Sequence, residues 1–343
     1  MTVNSRRLGV LVFLALITSS LWPVNAQERK SYPAIGTIER LDPRVDKLVP
    51  REARIEKLAE GFDWSEGPVW SKKEKFLLFS DVPRNTVFQW SEGKEVHVFL
   101  NPSGYTGAAP KAGEPGSNGL LRDAEGRLVL CQHGDRRVAR LEADGSFKTL
   151  ADRYDGKRFS SPNDGTFKSN GDLYFTDPPY GLSGLNNDPA KETPFNGVYR
   201  VGKDGAVTLL TKEMTFPNGI GFSPDEKVLY VANSDPGKAV WMAFDVKNDG
   251  SLGAGRVFFD STSLAKAGKK GLPDGLKVDQ SGNVFATGPG GILIFTADGT
   301  HLGTLNTGEA TANCGWGDDG STLYITADMY LCRIRLTTKG QGF

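Results

Sequence analysis

Apolar residues in this chain fall into short runs separated by turn-forming clusters, and one phrase recurs. A polar residue beside a glycine leads into an apolar patch, then a turn rich in Asp, Asn and Gly, then a β-rich apolar run. It reads SEGPVWSKKEKFLLFSD at 65–81, SNGLLRDAEGRLVLCQH at 117–133 and PNDGTFKSNGDLYFTD at 162–177. Further copies are FPNGIGFSPDEKVLYVAN at 216–233, PDGLKVDQSGNVFATG at 273–288 and ANCGWGDDGSTLYITAD at 312–328. Aligning the runs makes Glu66, Asn118, Asn163, Asn218, Asp274 and Asn313 equivalent, at spacings of 52, 45, 55, 56 and 39 residues. The matching residue of the run lies eleven positions on in four copies, at Val129, Tyr174, Phe285 and Tyr324, and twelve beyond Asn218, at Tyr230.

A period of about 40 to 55 residues carrying several short strands is the mark of a β-propeller, in which each repeat is one blade. The expected fold is all-β: a six-bladed β-propeller with four-stranded blades. The first blade reads as strands at 69–70, 76–80, 86–90 and 96–100. After Asn313 the chain holds strands at 315–317, 322–326 and 331–336 but no fourth. An N-terminal strand at 54–59 is expected to complete that last blade and close the seam, leaving no open edge.

The shared polar position lies where the chain enters each innermost strand, so the six residues are expected to ring one mouth of the central channel. Strand two runs back to the same mouth. The loops that begin at Asp81, His133, Asp177, Ser234, Gly288 and Asp328 should therefore face it, as should long insertions at 104–116 and 178–195.

Composition narrows the partners. Basic and acidic residues balance at 41 each, without a basic run, which disfavours nucleic acid. Cys131, Cys314 and Cys332 show no CxxC spacing, so neither a disulfide framework nor a zinc site is expected. Arg6 and Arg7 precede an apolar run at 8–16, and a small-residue exit ends at Ala26, the pattern of a secretory signal. The expected organisation is a signal peptide at 1–26, an N-terminal extension at 27–50 and the propeller at 51–343. The apolar core falls short of the roughly 20 residues a span needs, so no stable membrane anchor should survive cleavage. The mature protein should be secreted or periplasmic.

A lone Asn-Gly reads as a turn, but a ring invites a second reading. Glu66, Asn163, Asn218 and Asp274 together offer two carboxylates and two amide oxygens. Such a set suits a hard divalent cation, with Ca2+ favoured over Mg2+, Mn2+ or Zn2+; zinc would normally take His or Cys. Structural hydrogen bonding around the ring is the alternative. Asn118 and Asn313 are assigned to structure or substrate. Of His97, His133 and His301, only His133 is expected to face the mouth, and Arg136 and Arg137 follow it as candidates for holding a polar substrate.

EGPVW at 66–70, PNDG at 162–165, TDPPYGL at 176–182, PNG at 217–219 and PDG at 273–275 give the chain its likeness to known proteins. In that order they resemble the SMP-30/gluconolactonase/LRE-like family of six-bladed, calcium-dependent lactonases, especially its secreted or periplasmic bacterial gluconolactonases. The likeness covers 58–336. It implies that Glu66, Asn218 and Asp274 bind the metal, that Asn163 completes the site or meets substrate, and that Asp274 is a general base. The sequence departs at Ser161, where animal members carry Arg.

The expected activity is hydrolysis of an aldonolactone, D-glucono-1,5-lactone to D-gluconate. A divalent cation would polarise the carbonyl, and Asp274 or His133 would deprotonate water. Asn163, Asn118 and Arg137 are the expected substrate contacts. No GxSxG elbow is present, against a serine hydrolase of the α/β type. The rivals are a related hydrolase of aryl esters, other lactones or organophosphates, a non-enzymatic periplasmic binding propeller, and a quinone-dependent dehydrogenase.

Overall fold

A computed structural model describes residues 1–2, 31–109, 111 and 113–343. The expected signal peptide at 1–26 therefore lies almost wholly outside the described residues. From residue 31 onward the regular structure is nearly all strand, arranged as six antiparallel blades, each wound from the channel outward. The first blade is Ser65–Ser71, Phe76–Asp81, Thr86–Trp90 and His97–Leu100. The other innermost strands are Ser117–Arg122, Gly165–Phe167, Pro217–Phe222, Leu276–Val278 and Asn313–Gly317.

The apolar runs are nearly continuous because the second strand of each blade is buried on both faces. Leu77 and Phe79 pack toward the sixth blade, while Leu78 between them packs toward the second. Tyr174 faces the fourth blade, and its neighbours Leu173 and Phe175 face the second. The period-two alternation of a strand thus feeds two separate cores. One apolar cluster fills each of the six junctions between neighbouring blades.

The seam closes as expected. Ile55–Glu60 pairs antiparallel with Tyr330–Arg335, in the register Tyr330↔Glu60 and Leu331↔Ala59. The chain before it also joins the sheets. Thr37–Arg40 adds a fifth strand outside His301–Asn306 of the fifth blade, and Ala34–Ile35 adds one outside Ile55–Glu60. Gly36 makes the step between these strands at φ +66°, where a Cβ would meet the Asn306 carbonyl oxygen at 1.9 Å. Val45, Leu48 and Val49 then enter the core between the fifth and sixth blades. Nothing in the repeat pattern pointed to these outer strands.

The candidate site at the channel mouth

Glycine follows four of the six ring residues for a reason other than turning the chain. Asn218 and Gly219 lie inside the strand Pro217–Phe222, and the pairing register slips between Pro217 and Ile220. Matching slips occur between Glu66 and Val69 and between Ser117 and Leu120. At these bulges the innermost strands of adjacent blades approach backbone to backbone. A Cβ on Gly219 would sit 2.1 Å from the Asp274 carbonyl oxygen, and one on Gly67 2.3 Å from that of Asn118. Close approach, not turn chemistry, therefore fixes the glycine and brings the polar side chains together.

The backbone beneath the ring is laced between blades. Gly119 N donates to Asn163 O at 2.7 Å, Thr176 Oγ1 to Asn218 O at 2.8 Å, and Gly275 N to Ala312 O at 2.9 Å. Below the mouth, residues at the end of strand two act as clamps. Asp81 accepts from the amides of Asp63 and Trp64 at 3.1 and 3.3 Å. Asp177 accepts from those of Ser160 and Ser161 at 2.9 and 2.7 Å.

A cavity of about 340 Å³ opens above the ring, lined by Glu66, Asn118, Asn163, Asn218 and Asp274 with Trp64, Glu114, Tyr180, Ser234 and Leu272. A larger hollow of about 860 Å³ lies between the second and third blades. It is lined largely by Arg, Lys, Asp and Glu, among them the ion pairs of Arg127 with Asp123 and Lys168 with Glu226, and holds no ring residue. The smaller cavity is the candidate site because the repeat-derived polar groups converge there.

Orientation separates the amides of the ring. Asn313 Oδ1 accepts from Cys314 N at 2.9 Å, and its Nδ2 donates to Glu66 Oε2 at 3.2 Å and Asp164 Oδ2 at 3.3 Å. It braces carboxylates and keeps its oxygen away from the site. Asn218 Nδ2 donates to Ser234 Oγ at 3.0 Å, which leaves its oxygen for the cavity. Asn118 Oδ1 and Asn163 Oδ1 are buried without a hydrogen-bond partner.

Burial raises the pKa of Glu66 to about 8, with the Asp164 and Glu114 carboxylates adding to it against the Gly67 amide and Asn313. Asp274 is pushed well above the ordinary carboxyl range, first by burial and then by Glu66, Asp164 and Glu114. Buried carboxylates that hold protons so firmly, beside amide oxygens lacking donors, fit a hard cation. Among the described residues no three His, Cys, Asp or Glu side chains assemble a metal site by themselves. A cation here would depend on the amide oxygens.

His133 is buried beside the ring, with Nε2 3.4 Å from Asn163 Nδ2. Glu114 Oε2 lies 3.2 Å from His133 Nδ1, out of line for a hydrogen bond. Arg137 does not line the cavity. Its guanidinium is committed to Gln132, Asp135 and Thr149. Ser161 points away from the ring as well, holding the start of the insertion at 178–195. The sequence reading missed the cavity residues Trp64 and Leu272 and, more consequentially, Glu114 and Tyr180. Glu114 and Tyr180 each come from one of the long insertions, which gave a face but no register by which to single out a residue.

The SMP-30/gluconolactonase/LRE-like region model matches residues 64–328. A gluconolactonase from Zymomonas mobilis is 39% identical over 322 residues, covering 92% of this chain and 90% of that protein. The pentonolactonase XacC of Haloferax volcanii is 28% identical, over 76% of this chain and 80% of its own. Among solved structures, a gluconolactonase from Xanthomonas campestris superposes with a TM-score of 0.77 at 31% identity, covering 91% of this chain and 99% of that one.

Proposed function

The chain belongs to the SMP-30/gluconolactonase/LRE-like family, and from that premise we propose that it hydrolyses a sugar lactone, D-glucono-1,5-lactone to D-gluconate, at the channel mouth. The observation that carries this reading is the convergence of Glu66 and Asp274, both with raised proton affinity, with the amide oxygens around one cavity. Glu66, Asn163, Asn218 and Asp274 would hold a divalent cation, Ca2+ before Mg2+, Mn2+ or Zn2+. When bound, it supplies Lewis-acid polarisation of the lactone carbonyl.

The chain's own groups do the rest. Asp274 or His133 takes a proton from water as its oxygen bonds to the carbonyl carbon. The ring C–O bond then breaks, and the proton passes to the departing alkoxide, giving the open hydroxy acid. Asn118, with its orphaned oxygen, is placed to receive a substrate hydroxyl. The protein is proposed to act after export, in the periplasm or outside the cell, which fractionation of cells expressing the full chain would test.

The experiment is pH-stat hydrolysis of D-glucono-1,5-lactone before and after chelation, with Ca2+, Mg2+, Mn2+ and Zn2+ added back separately. The reading requires loss on chelation and recovery with a divalent ion. A folded protein inactive on this lactone under every metal, yet active on aryl esters or organophosphates, would replace the sugar-lactone reading with that of the related hydrolase. Activity that survives complete chelation would remove the cation from the mechanism.

A further inference from the structure

Tyr180 reaches the cavity from the insertion that follows the third blade's second strand, and its position is built rather than incidental. Ser161 Oγ donates to Pro178 O at 2.6 Å and accepts from Gly181 N at 2.9 Å, clamping the turn on both sides of Tyr180. A Cβ on Gly181 would lie 2.8 Å from Cβ of His133 and of Ser161, so the turn packs directly on the site's floor. The Tyr180 ring stacks on Phe216 with centroids 5.9 Å apart and planes at 21°. Phe216 is in turn fixed by its amide donating to Asn233 Oδ1 at 2.9 Å.

The hydroxyl ends against the side chains of Asn218 and Ser234, near the Asp274 and Glu114 carboxylates. Around it the hydrogen-bond relay is already directed: Asn218 Nδ2 donates to Ser234 Oγ, and Ser234 Oγ donates to the Pro273 carbonyl. Ser234's proton is thereby spent elsewhere. Ser234 Oγ keeps a lone pair for the phenolic proton, and Tyr180 lines the cavity with its phenol oxygen beside the two ring residues Asn218 and Asp274.

We propose that Tyr180 is a specificity-determining residue whose phenol oxygen forms a hydrogen bond with the hydroxyl on the carbon next to the lactone carbonyl. This rests on the lactonase reading of the site. A carbonyl drawn to the Asn218 and Asp274 side places its α-substituent against their immediate neighbour, and that neighbour is Tyr180. Aldonolactones carry a hydroxyl there. Plain lactones and aryl esters do not, so Tyr180 favours the sugar substrate over the rest of the hydrolase's range.

The test crosses one protein atom with one substrate atom. Wild type and Tyr180→Phe are compared on D-glucono-1,5-lactone and on its 2-deoxy analogue, with thermal melts to establish that both proteins fold. In the wild type, kcat/KM for the 2-deoxy lactone should be lower by about five- to twentyfold. The Y180F penalty on D-glucono-1,5-lactone should be at least about fivefold larger than its penalty on the 2-deoxy lactone. Equal penalties on the two lactones, or none on either, overturn the proposal. A wild type that hydrolyses neither lactone fails the lactonase reading itself. Calorimetric binding of D-gluconate and 2-deoxy-D-gluconate then decides Tyr180 by the same cross: the preference for gluconate, lost in Y180F, upholds the contact, and its absence in the wild type removes it.

Discussion

Asp274, Asp177 and Asn313 are polar residues near one mouth, Asp274 half-buried and the other two buried, and the structure gives each a different task. Asp274 lines the cavity, so Asp274→Ala should lower kcat/KM on the lactone by at least about a hundredfold. Asn313 turns its oxygen to Cys314 N and only braces Glu66 and Asp164. Asn313→Ala should therefore cost less than about tenfold, and equal losses in the two variants would refute this division of the ring. Asp177 lies off the cavity, with its pKa raised from the ordinary carboxyl range to about 7, chiefly by burial. The folded protein holds this proton more tightly than the unfolded chain does. Its contribution is thus full below about pH 4 and is lost as pH rises through 7. Urea unfolding of wild type and Asp177→Asn across pH 4 to 8 should show the wild type losing ground to the variant as pH rises. A gap that does not change with pH would mean that Asp177 stays ionised throughout. The ring residues were legible in the sequence because they repeat in register with the strands. Glu114 and Tyr180 were not, because an insertion present in one blade has no second copy to align with. Arg137 looked eligible from its place after His133, yet a residue at the start of the third strand was free to spend its charge on Gln132, Asp135 and Thr149.

At the scale of elements, the seam strand could be anticipated because the last repeat was visibly short of one. The strands at Ala34–Ile35 and Thr37–Arg40 fill no such deficit: they add to blades whose four strands are already accounted for. Only a partner's exposed edge calls for them, and that edge is far away in the sequence. Their joint at Gly36 is a sensitive test of whether they hold the ring closed. Gly36→Ala combines a left-handed φ of +66° with a Cβ 1.9 Å from a backbone oxygen that cannot turn aside. The expected cost is roughly 1–3 kcal/mol in unfolding, with amide exchange accelerated first over 34–40. Unchanged exchange there would show that the outer strands bear little of the closure.

On the scale of the whole molecule, the proposed ligands come from four different blades: Glu66 from the first, Asn163 from the third, Asn218 from the fourth and Asp274 from the fifth. Propeller blades meet mainly through the apolar layers between neighbours, and the bond from Asn313 Nδ2 of the sixth blade to Asp164 Oδ2 of the third reaches across the channel. A cation at the mouth would strengthen that connection, and it would also offset the cost of burying Glu66 and Asp274 as anions. Cation binding should therefore register as global stability as well as activity. At a hundred times its dissociation constant the ion adds about 2.7 kcal/mol to unfolding, several degrees in melting temperature for a domain of this size. Scanning calorimetry of the chelated protein with and without Ca2+ reads that shift. Glu66→Gln removes one of the two charges while keeping the shape, so it should lose most of the shift and leave the melting temperature of the chelated protein no lower than that of the wild type. An equal Ca2+ shift in both proteins would place the ion elsewhere, whatever the activity showed.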